Sequence, residues 1–414
     1  MTATENSMKG DSKLRLIEKI NRRITASVDF DEVLPLILDS VAEVVACDFV
    51  AIHLVDPDDQ SLHVIASRGS RRTPQVELPL EVFQLPPWRS VSLVEGPHSD
   101  SEKIAYVADS AGSGNQLALP IVSGDKIVGV LSLENHHPSD LLEEILEWLS
   151  VLATQAALFI DKALLHAELI EKKRLEEELR IARDVQLSLL PSSAPTLNGL
   201  DIHGINVPTY SVGGDYYDFI PIVDGHLGIV VADVAGKGIP ASLIMASFRA
   251  VLRAEIRNNY AIRTILTKVN RLLYETLRDD QFVSAFYGVL DLARRRFTYS
   301  NAGHHPGIVF RPDGKRRYLK SGGMVLGIFD GVSYNEQFID LVPGDLLLLY
   351  TDGLVEADNR DGEMYGRSRL EKFVADNKGM DSRALCDALY ADVSTFTDAA
   401  RPSDDTTIVI AKIL

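Results

Sequence analysis

One long helical segment constrains the architecture more than any other feature of this sequence. It begins near Pro138-Ser139-Asp140 and is predicted to run to about Leu190, where Pro191 ends it. Its first half is strongly apolar and its second half is highly charged, so only the first half is suited to burial in a domain core. The helix therefore divides the 414 residues into two parts, as expected for a chain too long for one hydrophobic core.

The part before this helix has the pattern of an α+β domain. Two stretches with apolar residues at helical spacing come first, Leu14 to Ile24 and Phe30 to Val45, and Asp29 is the predicted N-cap of the second. A strand pair follows from Asp48 to Ser67, and a hairpin later closes at Ser123-Gly124-Asp125. The residues between these two pairs are poorly periodic. We expect one compact α+β domain of ordinary size here.

The charged half of the long helix carries a short heptad seam. Its members are Leu175, Leu179, Ala182, Gln186 and Leu189. Such a seam is typical of a helix lying on its own domain or of a parallel coiled coil joining two chains. We favour the coiled coil, which predicts a homodimer.

After the helix the pattern changes to strands interrupted by helices. The predicted strands are Gly214 to Ile222, His226 to Val234, Phe282 to Asp291, Arg296 to Asn301, Gly307 to Arg311, Asp345 to Thr351 and Thr406 to Ile413. The predicted helices run from Pro240 to Arg257 and from Ala261 to Leu277, with a helical pair between Gly366 and Phe396. Strands grouped in this way, outside a βαβ alternation, favour an antiparallel sandwich with helices on its faces.

Four aspartates stand at the ends of these predicted strands. Counting outward from the turn at Asp224-Gly225 places Asp215 within a residue of facing Asp233, about 5 Å away. Asp352 follows one apolar strand and Asp404 precedes another, so the two share a sheet edge if those strands are antiparallel. Four carboxylates at one edge would repel each other strongly unless cations compensate them.

The donor set indicates which metal such a site would bind. Oxygen ligands without cysteine suit Mg²⁺ or Mn²⁺ better than zinc. Two such ions about 3.5 to 4 Å apart can activate a water and clamp a phosphoryl group. An Asp-Gly pair is also ordinary turn chemistry, so each motif by itself is explained as well by a turn. The combination of four is what predicts a metal site.

The sequence runs GGDYYDF, ADVAGKG, NAGHHP, YTDGLVEA and DDTT resemble the metal-dependent protein phosphatase (PPM) family. The likeness is to its bacterial branch, which controls sporulation and stress-response sigma factors, and it covers Asn198 to Leu414. This resemblance implies an αββα sandwich with two Mn²⁺ or Mg²⁺ ions. The expected substrate is a phosphorylated anti-sigma-factor antagonist.

The resemblance also implies a role for each motif residue. Asp233 should bridge both metals, with the backbone carbonyl of Val234 assisting one of them, and Asp352 and Asp404 should ligate the other. Asp215 should act as a ligand or hold metal-bound water. Two neighbours in the same motifs carry weaker expectations, since Asp218 is a less certain ligand and Asp405 is expected to support the ligands from outside. The Gly236-Lys237-Gly238 run lacks the spacing of a phosphate loop and is expected to be a tight turn. His304 and His305 could act as a general acid or as metal ligands, and a structural role near the sheet edge explains them at least as well.

The order of helices and strands from about Leu14 to Leu165, with the runs VDPDDQ and KIVGVLSLE, resembles a GAF domain. This resemblance implies a bound small ligand, a regulatory protein or a dimerisation role. We therefore predict an α+β protein with a tail at 1–11, a GAF-like domain at 12–160, a linker helix at 161–197 and a phosphatase domain at 198–414. The linker helix Glu176 to Leu190 is expected to transmit the regulatory signal.

Composition excludes other classes. The net charge of −17 argues against nucleic-acid binding and against docking on an anionic membrane. No apolar stretch approaches the roughly 18 residues that a membrane span needs, and the N-terminus lacks a secretory signal, so the cytoplasm is the predicted location. Cys47 and Cys386 predict neither a disulfide nor a cysteine metal site.

The sequence thus predicts a metal-dependent serine/threonine protein phosphatase regulated by its N-terminal domain. Two alternatives stay open. One is a catalytically inactive phosphatase fold that only binds a partner, and the other is a metallohydrolase of small phosphoesters.

Overall fold

A computed structural model describes residues 3–56, 61–69, 105–108, 115–124, 126–134, 143–259, 261–278, 280–398 and 404–414. The chain divides into two compact units, Met1–Arg174 and Leu175–Leu414. The predicted turn at 57–59, most of the poorly periodic stretch at 68–116 and the predicted start of the long helix lie outside the described residues.

The N-terminal unit is a five-stranded sheet with helices against one face. Its elements are α1 (Ala3–Ala26), α2 (Phe30–Val44), β1 (Phe49–Val55), β2 (Leu62–Gly69), β3 (Ala105–Ala108), β4 (Asn115–Ser123), β5 (Lys126–Glu134) and α3 (Glu143–Leu189). The strand order is β2-β1-β5-β4-β3, and every pairing is antiparallel. As predicted, the Asp29 side chain caps α2 by accepting from the amide of Asp31. Apolar side chains of the three helices and of one sheet face form the core of this unit.

Two features of this unit differ from expectation. Helix α1 begins at Ala3, within the segment 1–11 that was predicted to be a tail, because its polar residues include good helix formers. Helix α3 contains an 18-residue window of mean hydropathy 1.4, half of it buried inside the protein. The prediction that no stretch approaches spanning length was therefore wrong for this helix, although the core helix of a soluble domain meets the same criterion.

The C-terminal unit contains two sheets with helices on their outer faces. Its strands are β6 (Leu200–Val207), β7 (Tyr216–Val223), β8 (His226–Val234), β9 (Val283–Asp291), β10 (Arg296–Ala302), β11 (Gly307–Phe310), β12 (Arg316–Leu319), β13 (Gly322–Gly323), β14 (Gln337–Asp340), β15 (Leu346–Tyr350) and β16 (Thr406–Ile413). Its further helices are α4 (Gly238–Asn258), α5 (Ile262–Tyr274), α6 (Asp352–Val355), α7 (Gly366–Asp376) and α8 (Ser382–Phe396). One sheet has the order β13-β10-β9-β8-β7, with β14 also on β10, and the other has the order β12-β11-β15-β16-β6. Every strand pairing in them is antiparallel except the short parallel pair β10–β13.

Three hydrophobic clusters hold these layers together. The facing sides of the two sheets form the central cluster, which includes Phe286, Phe297 and Val409. A second cluster packs α4 and α5 on the first sheet, and a third packs α6, α7 and α8 on the second sheet. The predicted αββα sandwich is confirmed.

The end of α3 belongs to the C-terminal unit. The Gln186 side chain forms two hydrogen bonds with Gly213, and Leu189 packs against the cluster under α4 and α5. This end of the predicted heptad seam is therefore occupied by contacts within its own unit.

Candidate active site

Asp215 and Asp233 lie at the open end of the β7–β8 hairpin. The last paired residues of that hairpin are Tyr216 and Ala232, and the two aspartates are the next residue along each strand. Asp215 is only 2% exposed. Burial and then the charge of Asp233 raise the pKa of Asp215 well above its ordinary value of 3.8. The structure thus brings together the pair that the hairpin count predicts.

Two threonine hydroxyls hold one oxygen of the Asp215 carboxylate. Thr351 and Thr407 each donate a hydrogen bond of 2.7 Å to Asp215 Oδ2. The other oxygen, Oδ1, accepts no hydrogen bond from the described part of the chain and is free to bind a cation or a water. Sequence reasoning missed both threonines, whose positions depend on the pairing of distant strands.

Asp352 and Asp404 come to the same end of the second sheet. Strands β15 and β16 are antiparallel and their last pair is Tyr350 with Ile408, so the residues after β15 and before β16 are neighbours. Asp352 is the first residue of the short helix α6. The two strands are antiparallel, as they must be for Asp352 and Asp404 to share a sheet edge.

The three carboxylates Asp233, Asp352 and Asp404 interact electrostatically. Burial raises the pKa of Asp233 to about 7, and the charges of Asp352 and Asp404 add to the shift. Burial penalises the charged form of Asp233, and the neighbouring carboxylates add negative charge that Lys237 offsets only in part. A bound cation would neutralise the remaining charge.

These carboxylates line a cavity of about 310 Å³. Its lining comprises Asp233, Val234, Ala235, Gly236, Lys237, Phe282, Ser284, Gly303, His304, His305, Asp352 and Asp404. Residues from the ends of both sheets meet here, as the strand-end positions predict. Asp215 is not in the lining and lies next to Asp233 in the hairpin.

The glycine pair before Asp215 allows the surrounding chain to approach closely. A Cβ at Gly213 would lie 2.3 Å from Asp405 Oδ2, and a Cβ at Gly214 would lie 2.9 Å from the Val234 carbonyl oxygen. The two Asp405 oxygens accept from the amides of Thr209 and Gly214, at 2.7 Å each. Asp405 therefore fixes the loop that carries Asp215.

His304 is a structural residue. It is buried, its Nδ1 is 2.7 Å from the Ser284 hydroxyl, and its Nε2 is 3.1 Å from the Tyr350 carbonyl oxygen. Burial, together with neighbouring His305, lowers the pKa of His304 to about 3, so the ring is neutral. A neutral imidazole that donates to Tyr350 and accepts from Ser284 satisfies both contacts.

His305 belongs to a second group of potential ligands. Its ring packs against Tyr350 with centroids 5.6 Å apart. One ligand atom each of His305, Asp352 and Glu356 lie within 4.8 Å of one another. Sequence reasoning missed Glu356, the C-cap residue of α6, although its position four residues after Asp352 was an available signal.

Asp218 is directed into a different network. Its carboxylate forms two hydrogen bonds with Arg253 of α4, at 2.7 and 2.9 Å, and accepts one from the Tyr216 hydroxyl. These contacts tie α4 to β7. Asp218 is therefore occupied by a structural ion pair.

The donor set fits hard divalent cations. The carboxylates of Asp215, Asp233, Asp352 and Asp404 and the Val234 carbonyl provide oxygen atoms, which Mg²⁺ and Mn²⁺ prefer.

An αββα sandwich with carboxylates at the shared edge of its two sheets is the fold and site of a metal-dependent phosphatase domain. The family model for stage II sporulation protein E (SpoIIE) matches residues 223–414, and a GAF domain model matches residues 27–161. The C-terminal unit is thus a SpoIIE/PP2C-type phosphatase domain, and a GAF domain precedes it. Both resemblances drawn from the sequence motifs are confirmed.

Individual relatives agree with this assignment. The chain is 29% identical over 242 residues to phosphoserine phosphatase RsbU of Bacillus subtilis (strain 168), covering 58% of this chain and 72% of RsbU. It is 27% identical over 190 residues to phosphoserine phosphatase RsbP of the same organism, covering 45% of this chain and 47% of RsbP. The SiaA-PP2C domain of Pseudomonas aeruginosa has the same fold, with a TM-score of 0.53 at 23% identity over 59% of this chain and 99% of that one.

Proposed function

We propose that this chain is a metal-dependent phosphatase that removes phosphate from serine or threonine of a partner protein. The observation that carries the proposal is the meeting of Asp233, Asp352 and Asp404 around one cavity, where burial and then the charges of its two neighbours raise the pKa of Asp233. Such a cluster is suited to binding divalent cations. Bound divalent cations would neutralise the negative charge of a phosphate ester and so favour its hydrolysis.

Each residue has a defined part in this proposal. Asp233 and the Val234 carbonyl would hold one Mn²⁺ or Mg²⁺ ion, and Asp352 and Asp404, together with Asp233, would hold a second. Asp215 offers Oδ1 to a cation or its water, while two hydroxyls fix its other oxygen. Two bound ions supply an activated water and neutralise charge on the phosphoryl oxygens.

The substrate proposal rests on the relatives. RsbU and RsbP are named phosphoserine phosphatases. The SpoIIE-type motifs imply a phosphorylated anti-sigma-factor antagonist in the cytoplasm. An inactive scaffold is disfavoured because all four predicted carboxylates are present around or beside the cavity. A small-phosphoester hydrolase would differ in preferring free phosphoesters over a phosphoserine protein.

The activity test compares the wild type with Asp233→Asn and Asp352→Asn on an aryl phosphate and on a phosphoserine protein, with and without Mn²⁺. We expect Mn²⁺-dependent turnover that falls more than about a hundredfold in both variants, since even the partners of metal ligands cost tenfold to a hundredfold. Asp224→Asn, at the exposed far end of the same hairpin, is the control and should keep full activity.

Activity that survives both substitutions would remove the metal site and the proposed function. Faster turnover of free phosphoesters than of the phosphoserine protein would favour the small-substrate alternative.

We further propose that the GAF domain controls the site through α3. The side-chain amide of Gln186 donates to the Gly213 carbonyl at 2.6 Å and accepts from the Gly213 amide at 3.1 Å. Gly213 is two residues before Asp215, so a shift of this helix end would move the loop that carries a proposed ligand. If Leu179→Asp in the same helix changed neither basal nor regulated activity, this coupling would be wrong.

A further inference from the structure

The loop between β8 and α4 holds one lysine in a fixed position. Gly236 (φ +104) and Gly238 (φ +70) adopt the left-handed backbone region, where other residues are strained, although a Cβ at either would meet no atom within 4 Å. Lys237 between them is extended, with φ −136 and ψ 162. Backbone conformation, and not lack of space, therefore requires the two glycines that flank Lys237.

Lys237 reaches the carboxylate cluster. Its Nζ lies 2.9 Å from Asp404 Oδ2, and its side chain is 42% exposed at the cavity. The hydrogen bond to Asp404 raises the pKa of Lys237, so the ammonium is charged at neutral pH. Among the described residues that line the cavity, it is the cationic side chain opposite three carboxylates.

Lys237 and a divalent cation compete for the same oxygen atoms. Asp404 is a proposed metal ligand, and a metal on its carboxylate weakens the attraction that holds the ammonium there. The lysine side chain is long, flexible and half exposed, so its ammonium can swing to another anion at the cavity. The doubly charged phosphate of a substrate is such an anion, and lysine binds phosphate as a point charge.

The start of α4 reinforces a positive potential at this place. The 21-residue helix begins at Gly238, and Lys237, its N-cap residue, makes no side-chain cap hydrogen bond. The helix dipole favours negative charge at this end of the helix. This end of the helix lies next to Lys237 and to the cavity lining residue Gly236.

We propose that Lys237 is a substrate-binding residue that pairs with Asp404 before metal binding and with the substrate phosphate afterwards. The proposal rests on the proposed phosphatase function and assigns its phosphate contact. The competing explanation is that Lys237 only neutralises Asp404 within a tight turn.

The two explanations predict different binding constants for Lys237→Met. Calorimetry measures Mn²⁺ binding to the metal-free chain and inorganic phosphate binding to the Mn²⁺-loaded chain. We expect Mn²⁺ to bind at least as tightly as to the wild type, because a competitor for Asp404 is gone. Phosphate should bind about tenfold to a hundredfold more weakly, the range for loss of one charge-assisted hydrogen bond. The KM for a phosphoserine protein should rise by a similar factor.

Two further variants make the result specific. Lys237→Arg keeps the positive charge and should restore phosphate binding to within about threefold of the wild type. Lys315→Met removes a comparable exposed lysine–aspartate pair, Lys315 Nζ to Asp313 Oδ2 at 2.8 Å, and should change neither constant.

Two outcomes for Lys237→Met would overturn the role of Lys237 and leave the phosphatase proposal standing. One is phosphate binding equal to that of the wild type, and the other is Mn²⁺ binding weaker than that of the wild type. A wild type that binds Mn²⁺ and hydrolyses no phosphate ester, and whose loaded form binds no phosphate, would overturn both.

Discussion

Burial of Asp233 and, after it, repulsion by Asp352 and Asp404 raise the pKa of the Asp233 carboxyl. The ammonium of Lys237 is the nearby charge that opposes this repulsion in the absence of metal. One lysine cannot compensate three carboxylates. Protonation of Asp233 and binding of divalent cations are therefore alternative ways to relieve the same excess charge, and each should be measurable.

Without divalent cations, the stability of the protein should fall as pH rises because of Asp233. Its folded-state pKa of about 7 lies above the ordinary 3.8, so the folded state keeps a proton that the unfolded state loses. The resulting stabilisation is complete below about pH 4 and is lost as pH rises through 7. Asp233→Asn stays neutral at every pH. It should therefore raise the free energy of unfolding, by up to a few kcal/mol, more at pH 8 than at pH 5.

Urea unfolding in EDTA at these two pH values measures the effect, with Asp224→Asn as the control that should not depend on pH. Equal stabilisation by Asp233→Asn at pH 5 and pH 8 would contradict the raised pKa. Adding Mn²⁺ should reverse the order of stability, since only the wild type has the full set of ligands.

The sequence predicts the aspartates of the site better than it predicts the residues that hydrogen-bond to them. Asp215 and Asp233 follow from counting along one hairpin, and Asp352 and Asp404 from the polarity of two strand ends. The hydroxyls of Thr351 and Thr407 lie 136 and 192 residues from Asp215 in sequence, and only the packing of one sheet on the other brings them to it. No local pattern marks such residues.

Among the elements, the loop before β7 connects the most distant parts of the C-terminal unit. Asp405, next to strand β16, holds the Gly214 amide, and Gln186 of α3 holds both polar groups of Gly213. The adjacent residues Gly213 and Gly214 are thus fixed by one residue near the start and one near the end of the C-terminal unit. The position of Asp215 depends on both.

Gln186→Leu should loosen this loop with little change in helix propensity. It leaves the amide and carbonyl of Gly213 without their partner, so we expect the Mn²⁺ concentration for half-maximal activity to rise about threefold to tenfold. Gln186→Glu keeps an acceptor for the Gly213 amide and should be intermediate. Leu187→Ala, at the exposed next position, should match the wild type. Identical Mn²⁺ dependence in Gln186→Leu and the wild type would contradict the coupling.

The elements themselves follow the sequence pattern unevenly. Strands β8 and β16 have the predicted bounds, because both are nearly continuous apolar runs. Strand β6 was not predicted. Its sequence LDIHGINV does alternate as in a half-buried strand, but the alternation is short and a glycine interrupts it. It is an edge strand whose partner, β16, lies about 200 residues away in sequence. Edge pairing of that kind is set by the assembled sheet.

For the whole molecule, helix α3 provides the argument for a dimer. Leu158, Leu165 and Leu169 are 56%, 61% and 55% exposed, and they are spaced by seven and then four residues. These positions differ from the predicted seam, whose end is occupied by Gly213 and the core under α4. Exposed leucines at heptad spacing are stable in water when a second helix covers them. We therefore expect the full chain to be a dimer in sedimentation equilibrium at micromolar concentration.

Leu165→Asp should shift this equilibrium to monomer, because it places a charge within the apolar stripe, whereas Glu171→Ala on the same helix should not. The proposed ligands all lie in the unit Leu175–Leu414, so the monomeric variant should keep its Mn²⁺-dependent hydrolysis of an aryl phosphate. If Leu165→Asp keeps its basal turnover and loses regulation, dimer formation is required for regulation and not for catalysis. A monomeric wild type would instead show that the leucine stripe has another occupant, and the GAF domain would then have to act on the site within one chain.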